Sequence, residues 1–492
     1  MSIGDDSLNF EAGPWHLSWI AAFPAGVVVS RPDETSLALE YGFVQFRVNG
    51  LDPSLCHLLC RLEAPGISIG ELILAADGLR VSNAVSSVLH HLANLLAEGF
   101  LSLSVRDRGE VAATLTAIAS GFRLPTRPRS FEKWILSRFA TLRRGSSGMA
   151  AESPRSMAQV MLWNSLASSG VQSFVVPQTV ESAAGAVPGL SLEAASALVD
   201  LLHAAELLTA VDDAGRPAED SDLDLLCWEP HDLLFHSRSR RIRFDAPYGG
   251  AFAVADRVPL PPAVKSPRGA VTPLPRPDLE AIKSCDAGLT EVLERRRSIR
   301  DFGGVPLGAD QLGEFLFRVA RIRGRQRIKM ETMHGSVSME TTSRPYPAGG
   351  ALHELEIYPV IQKCQGLAAG LYRYEPATHG LEVVAGPSAG TRGLLQDAGQ
   401  SAGVSADDIQ LLLIIAARFP RIASKYSAFA YSLVLKHVGV LFQTMYLVAT
   451  AMNLAPCALG AGNADRFAKL ISDSPCAETS VGEFLLGSIP EE

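Results

Sequence analysis

Cysteine is scarce and unpatterned in this chain: 7 residues scattered through 492, an odd number. No disulfide framework can be built from them, and the scarcity fits a reducing compartment. Cys56 and Cys60 stand one helical turn apart, but no His or further Cys pair completes a tetrahedral set, so they read as two half-buried thiols and no metal is expected. Excess positive charge is missing as well. A formal charge of -8 gives no general attraction to nucleic acid or to an anionic membrane. The opening Met1-Ser-Ile-Gly-Asp-Asp6 is acidic and polar, unlike the basic end and apolar core of a secretory signal, and a cytoplasmic protein is expected. The longest apolar run, Phe429 to Leu454, is interrupted by Lys436, His437, Gln443 and Thr444. Charge is costly at a bilayer centre, so the run predicts a helix buried in a large core and lying at a subunit interface.

What the chain does have is apolar material, 47% of its residues, enough to fill more than one core. At about 100–200 residues per domain, its length predicts two or three. Short alternating runs such as Tyr41-Gly-Phe-Val-Gln-Phe-Arg-Val48 precede helical patterns around Asp52–Leu62, Ile69–Ala76 and Ser82–Glu98. The last stops at Gly99 and passes into the strand-like Phe100–Val105. Three helices and then a strand is the order of a winged-helix module. It recurs with helices predicted over Pro154–Ser168 and Ser191–Ala204 and a returning strand over Glu206–Val211. Winged helices often grip DNA, but Ser82–Glu98 and Ser191–Ala204 contain no Lys or Arg. Without phosphate neutralisation the main source of DNA affinity is gone. An extended peptide or a protein partner along an open strand is expected instead.

The segment Trp228-Glu-Pro-His-Asp-Leu-Leu-Phe-His-Ser-Arg-Ser-Arg240 follows, and then the Pro-rich Val258–Pro277, which predicts a semi-rigid linker. His231 and His236 have Asp232 between them but no evident third ligand, so structural hydrogen bonding is expected of them. The boundaries predicted are 1–125, 126–250, a linker over 251–277, and a last domain over 278–492.

Chemistry concentrates in that last domain. Leu289–Arg297 reads as a helix whose end carries Arg295, Arg296 and Arg297, with Ser298 and Arg300 just beyond. Guanidinium forks and a hydroxyl match phosphate oxygens; complementing the helix dipole would need only one or two of these cations. In Arg344-Pro-Tyr-Pro-Ala-Gly-Gly-Ala-Leu-His-Glu-Leu-Glu-Ile-Tyr358, Pro345 and Pro347 stiffen a turn. Gly349 and Gly350 permit close approach, so backbone N–H groups can meet a flat polar ring edge. Gly370–Pro376 and His379–Val384 predict a hairpin, and Gln410–Ala417 a strand covered on both faces. That strand delivers Arg418-Phe-Pro-Arg421 and the pair Lys425-Tyr426. A Lys with an ordinary pKa of about 10.4 serves as a base near neutrality only if burial or nearby positive charge lowers it, and Arg421 is one candidate for that charge.

In this order, these motifs resemble the nitroreductase-like flavin enzymes and, within them, the SagB-type dehydrogenases that oxidise azoline rings in ribosomally made peptides. Trp228–Arg240 resembles a segment preceding the oxidase domain of that family. The resemblance implies an α+β fold: a nitroreductase-like catalytic domain that binds flavin mononucleotide, FMN, preceded by two winged-helix-like, peptide-clamp-like modules. It implies FMN contacts at Arg296, Arg297, Ser298 and Arg300, at the ring loop Arg344, Pro347, Ala348, Gly349 and Gly350, and at Gln443, Leu459 and Gly460. Lys425 and Tyr426 become the catalytic pair, Lys425 as base and Tyr426 as substrate orienter or proton relay. The family usually has Ser where Ala348 stands, and Lys436 stands near a position that is often acidic, so one hydroxyl and one carboxylate contact are missing. Pro456–Gly462 resembles the late loop closing over the flavin, and Phe484–Pro490 the closing strand. The partners implied are an azoline-bearing precursor peptide, a cyclodehydratase complex and a second copy of the chain, with no nucleic acid or membrane.

Two other functions compete: an NAD(P)H-fed nitro or quinone reductase of the same fold, and a flavin-free binding protein that has lost catalysis. A small-molecule reductase needs neither the two leading modules nor the Lys425-Tyr426 pair. The Ala348 and Lys436 departures are what favour the third.

Overall fold

A computed structural model describes residues 13–41, 44–126, 133–145, 147–332, 334–471 and 473–490. Met1–Asp6 and the Gly42-Phe43 step lie outside these residues. The chain forms two compact units that divide between Ala246 and Pro247.

In the first unit, three helices, Pro53–Leu59, Ile69–Asp77 and Ala84–Ala97, lead into the hairpin Ser102–Asp107 and Glu110–Ala117. Sequence sets their ends. Asp52 caps the first helix by accepting from the Ser54 N–H, and Ser68 and Glu71 close a capping box on the second. The order returns in Ser165–Ser173, Val180–Ala186, Leu192–Ala204 and then strand Leu208–Val211. Pro154–Ser168, expected to be one helix, is instead the strand Ala158–Leu162 followed by a helix beginning at Ser165. Ala158, Val160 and Leu162 are buried and Gln159 and Met161 less so, a period of two, while Asn164 accepts from the Ala167 N–H and starts the helix. Ala158–Leu162 also pairs with Glu110–Ala117. A single seven-stranded sheet therefore takes strands from both sides of residue 125, where a domain boundary was expected.

The second unit is built on a seven-stranded sheet ordered Val271–Pro273, Gly380–Ala385, Gly370–Glu375, Leu355–Ile361, Leu411–Arg418, Glu478–Ser488, Leu454–Leu459. The expected hairpin and closing strand are both in it. We label α1 Leu289–Arg295, β1 Gly324–Thr332, β2 Gly335–Ser343, β3 Leu355–Ile361, β4 Leu411–Arg418, α2 Ala430–Ala451, β5 Leu454–Leu459 and β6 Glu478–Ser488. β3 and β4 are buried throughout, as strands covered on both faces must be. The stretch expected as a linker is packed onto this unit. Val271–Pro273 joins the sheet at its edge, where a proline's missing N–H is tolerated, and Lys265 Nζ lies 2.9 Å from Asp473 and 2.5 Å from Glu478.

Among the described residues α2 alone is long and apolar enough to cross a membrane by length and composition. It buries a stripe that includes Val434, His437, Leu441, Met445 and Ala449, and exposes Tyr431, Leu435, Lys436, Gly439 and Gln443. The helix is thus one-sided rather than buried all round.

Candidate functional site

The turn between β2 and β3 is held from below. Gly349 donates its N–H to His437 Nε2 at 2.7 Å, and His437 Nδ1 meets Glu354 Oε1 at 2.7 Å. A backbone N–H can only donate, so Nε2 is the bare acceptor and the ring proton sits on Nδ1, directed at the carboxylate. Glu354 is fully buried, and its second oxygen has no partner among the described residues. His353 bonds Thr342 Oγ1 and the Tyr346 carbonyl oxygen, both at 3.1 Å, and burial, aided by Arg344, pushes its pKa down to about 4. Arg344 is itself buried, with Nε and one terminal nitrogen unpartnered among the described residues. Positive φ at Gly350 (59°), Ala351 (54°) and His353 (45°) marks backbone strain in this one turn.

Lys425 and Tyr426 close over that turn. A Cβ added to Gly350 would stand 2.7 Å from Lys425 Nζ and 2.8 Å from Tyr426 Oη, so glycine alone leaves both heads room. Burial lowers the Lys425 pKa and raises that of Tyr426. Lys425 Nζ also stands 5.3 Å from the Tyr426 ring centre and 6.0 Å from that of Phe252.

Arg421 does not supply the charge suggested for it. Its guanidinium is consumed by three carbonyl oxygens, of Leu352 at 2.6 Å and of Pro261 and Glu340 at 2.7 Å. Burial, with Arg418 and Arg344 nearby, pushes its pKa down to about 10. Desolvation, not Arg421, lowers Lys425.

The arginine segment lies elsewhere. Arg295 is committed to Glu291 at 3.0 Å and Asn453 at 2.7 Å. The Arg296 guanidinium carbon lies 5.3 Å from the Tyr446 ring centre, and Ser298 Oγ meets Tyr446 Oη at 2.7 Å. Tyr446 Oη in turn accepts from the Ala458 N–H at 2.8 Å, which ties the segment to β5. Arg297 and Arg300 are exposed with no ion pair among the described residues. Most of Pro456–Gly462, expected as a loop, is strand β5. Cross-strand pairing with β6 runs through Leu459, and Gly460 is the first exposed residue past its end.

The structure therefore brings Lys425, Tyr426, Gly349 and Gly350 together, and separately Arg296 and Ser298 with Tyr446. His437 and Tyr446 mark these two groups on α2. Nine residues at 100° each put them half a turn apart, about 13 Å along the axis. Within one chain the ring loop thus meets that helix at His437 and the arginine segment at Tyr446. Gln443 is exposed and, among the described residues, bonds to neither group. His437, Glu354 and Tyr446 were not singled out in the sequence; a histidine interrupting an apolar helix was the available signal. Among the described residues no group of His, Cys, Asp and Glu could hold a metal ion, and His236 lies against Trp228 with ring centres 5.5 Å apart and ring planes tilted by 47°.

Residues 134–245 match the family described as cyanobactin oxidase ThcOx, and residues 293–485 match the nitroreductase family. A nitroreductase-named protein of Methanocaldococcus jannaschii is 29% identical over 185 residues, 38% of this chain and 82% of that protein. A nitroreductase-named structure from Ralstonia eutropha is 22% identical with a TM-score of 0.34, covering 48% of this chain and 100% of that one. The E. coli microcin synthetase McbBCD, solved with a truncated precursor bound, has a chain 20% identical at a TM-score of 0.33, covering 50% of this chain and 89% of that one. Each family match covers less than half of the chain; together they indicate an oxidoreductase of mixed helix and sheet, its nitroreductase-like region following a cyanobactin-oxidase-like one.

Proposed function

We propose that this protein is an FMN-dependent dehydrogenase that oxidises thiazoline or oxazoline rings in a ribosomally made peptide. The observation that carries the reading is the convergence of the Lys425 and Tyr426 heads on Gly350, beside a backbone amide fixed by His437 and Glu354. The residues fit the cofactor. Gly349 and Gly350 leave a surface free of side chains for a ring edge, with Pro347 and Ala348 beside it, while Arg297 and Arg300 have charge to spare for a phosphate that Arg296 and Ser298 would share. Bound FMN would supply a two-electron acceptor for hydride.

Aromatising an azoline removes a proton from one ring carbon and a hydride from its neighbour. The Lys425 amine, its pKa lowered by burial, takes the proton, and Tyr426, kept protonated by the same burial, donates a hydrogen bond that orients the ring. The arginine segment and the ring loop meet α2 at different points, Tyr446 and His437, and a second copy is proposed to complete the site. The exposed stripe with Tyr431 and Leu435 is the proposed contact. The twofold run of three helices and a strand supports winged-helix-like modules. Neither Ala84–Ala97 nor Leu192–Ala204 contains Lys or Arg, which favours a peptide or a cyclodehydratase partner over DNA.

The test is mass spectrometry of an azoline peptide incubated with the purified protein. Loss of two hydrogens per ring is expected, and Lys425→Ala should keep its flavin while turning over about a hundred- to ten-thousandfold more slowly. Reduction of nitro compounds or quinones by NAD(P)H with untouched azolines would replace this reading with the reductase.

A further inference from the structure

The hairpin β1–β2 takes no part in the chemistry above, yet its outer strand is unusual. Among the described residues β1 pairs only with β2, so its other edge offers unpaired N–H and C=O groups along nine residues. Gly324 through Lys329 are all exposed. Arg325, Arg327 and Lys329 alternate along it, which puts three cations on one face about 6.8 Å apart. Glu331 ends the stripe, and Glu340 across on β2 lies 4.0 Å from Arg325. Arg327 and Lys329 have no ion pair among the described residues.

The base of the hairpin is fastened at the ring loop. Thr342 of β2 bonds His353, and the Glu340 carbonyl oxygen is held by Arg421. A chain paired along β1 would therefore run toward the turn where Lys425 and Tyr426 meet.

We infer that the open edge of β1 binds an extended acidic segment of the peptide substrate as an added strand, an inference that rests on the peptide-oxidising function proposed above. Main-chain bonds would supply the pairing, and acidic side chains at every second position would meet Arg325, Arg327 and Lys329. The same charges argue against a second copy, since edge-to-edge pairing sets cation against cation. Nucleic acid is disfavoured too: β1 carries no aromatic side chain on which a base could stack.

The experiment uses the full chain and a fluorescent peptide with acidic residues at alternate positions, read by anisotropy. Reversing the three charges together (Arg325→Glu, Arg327→Glu, Lys329→Glu) should weaken binding about tenfold, the sum of three exposed pairs, and high salt should do the same to the wild type. N-methylating alternate peptide amides should also abolish binding to the unaltered protein, a measurement that needs no variant to fold. Equal binding of the methylated peptide, equal binding to the charge-reversed protein, or tighter binding of a single-stranded oligonucleotide overturns the inference. Azoline peptides oxidised equally fast with and without an acidic flank would overturn it while leaving the proposed function standing. A protein that binds the acidic strand but oxidises no azoline would do the reverse.

Discussion

Replacing Gly350 by Ala tests the meeting point of Lys425 and Tyr426 directly. The new methyl would start 2.7 Å from Lys425 Nζ and 2.8 Å from Tyr426 Oη, where ordinary contact begins at 3.4 Å, so the heads must retreat by about 0.7 and 0.6 Å. Both atoms end flexible side chains, so this displacement costs little stability. The backbone costs more: φ is +59°, and a side chain in that left-handed region costs about 1–2 kcal/mol. Gly403 supplies the control, because it caps helix Ala389–Ala402 at φ +73° with open space around it. Gly403→Ala should lose the same 1–2 kcal/mol in urea unfolding and keep its turnover. Gly350→Ala should lose similar stability and up to about a hundredfold in azoline oxidation, the loss that a misplacement of about 1 Å brings. Equal turnover in the two variants would show that the heads do not act at Gly350.

Three further outcomes follow from charge and burial. Arg296→Ala should weaken FMN binding about ten- to a hundredfold, measured by fluorescence titration, because one charge-assisted contact is lost. His353 has a folded pKa of about 4, below its unfolded value, so the unfolded chain takes its proton first. Stability should fall as pH drops from about 6.5 to 4, by at most about 3 kcal/mol, and His353→Asn should flatten that fall in urea midpoints. Glu483 runs the other way: burial raises its pKa to about 7, so stability is lost as pH rises from about 4.5 to 7. Glu483→Gln should therefore melt higher than the wild type at pH 8, by up to about 3 kcal/mol, and show little gain near pH 4.5.

The candidate site of the second unit was legible because the chemistry proposed for it needs particular residue types in a short span. Lys425-Tyr426, Gly349-Gly350 and the apolar run of β4 could each be read from neighbours in the chain. What could not be read was made by partners far apart. His437 meets Glu354 across 83 positions, and neither residue advertises the other. Arg421 looked like a charge beside Lys425, but its guanidinium is held by three carbonyl oxygens, two of them at Pro261 and Glu340. In the first unit, Ala158–Leu162 was hidden because its alternation spans only five residues beside a true helix. The proline stretch read as a linker for a local reason, the loss of backbone donors, which an edge position makes harmless.

The Arg421 clamp also bears on how this unit comes apart. One guanidinium joins the segments around Pro261, Glu340 and Leu352, which belong respectively to the proline stretch, the hairpin and the ring loop. None of the three can lift away without stranding a buried cation, so opening any one of them removes part of what holds the other two. Their backbone amides should exchange with solvent as a single cooperative group rather than as three independent loops. Exchange of any of these segments with a related protein's would therefore have to carry all three together.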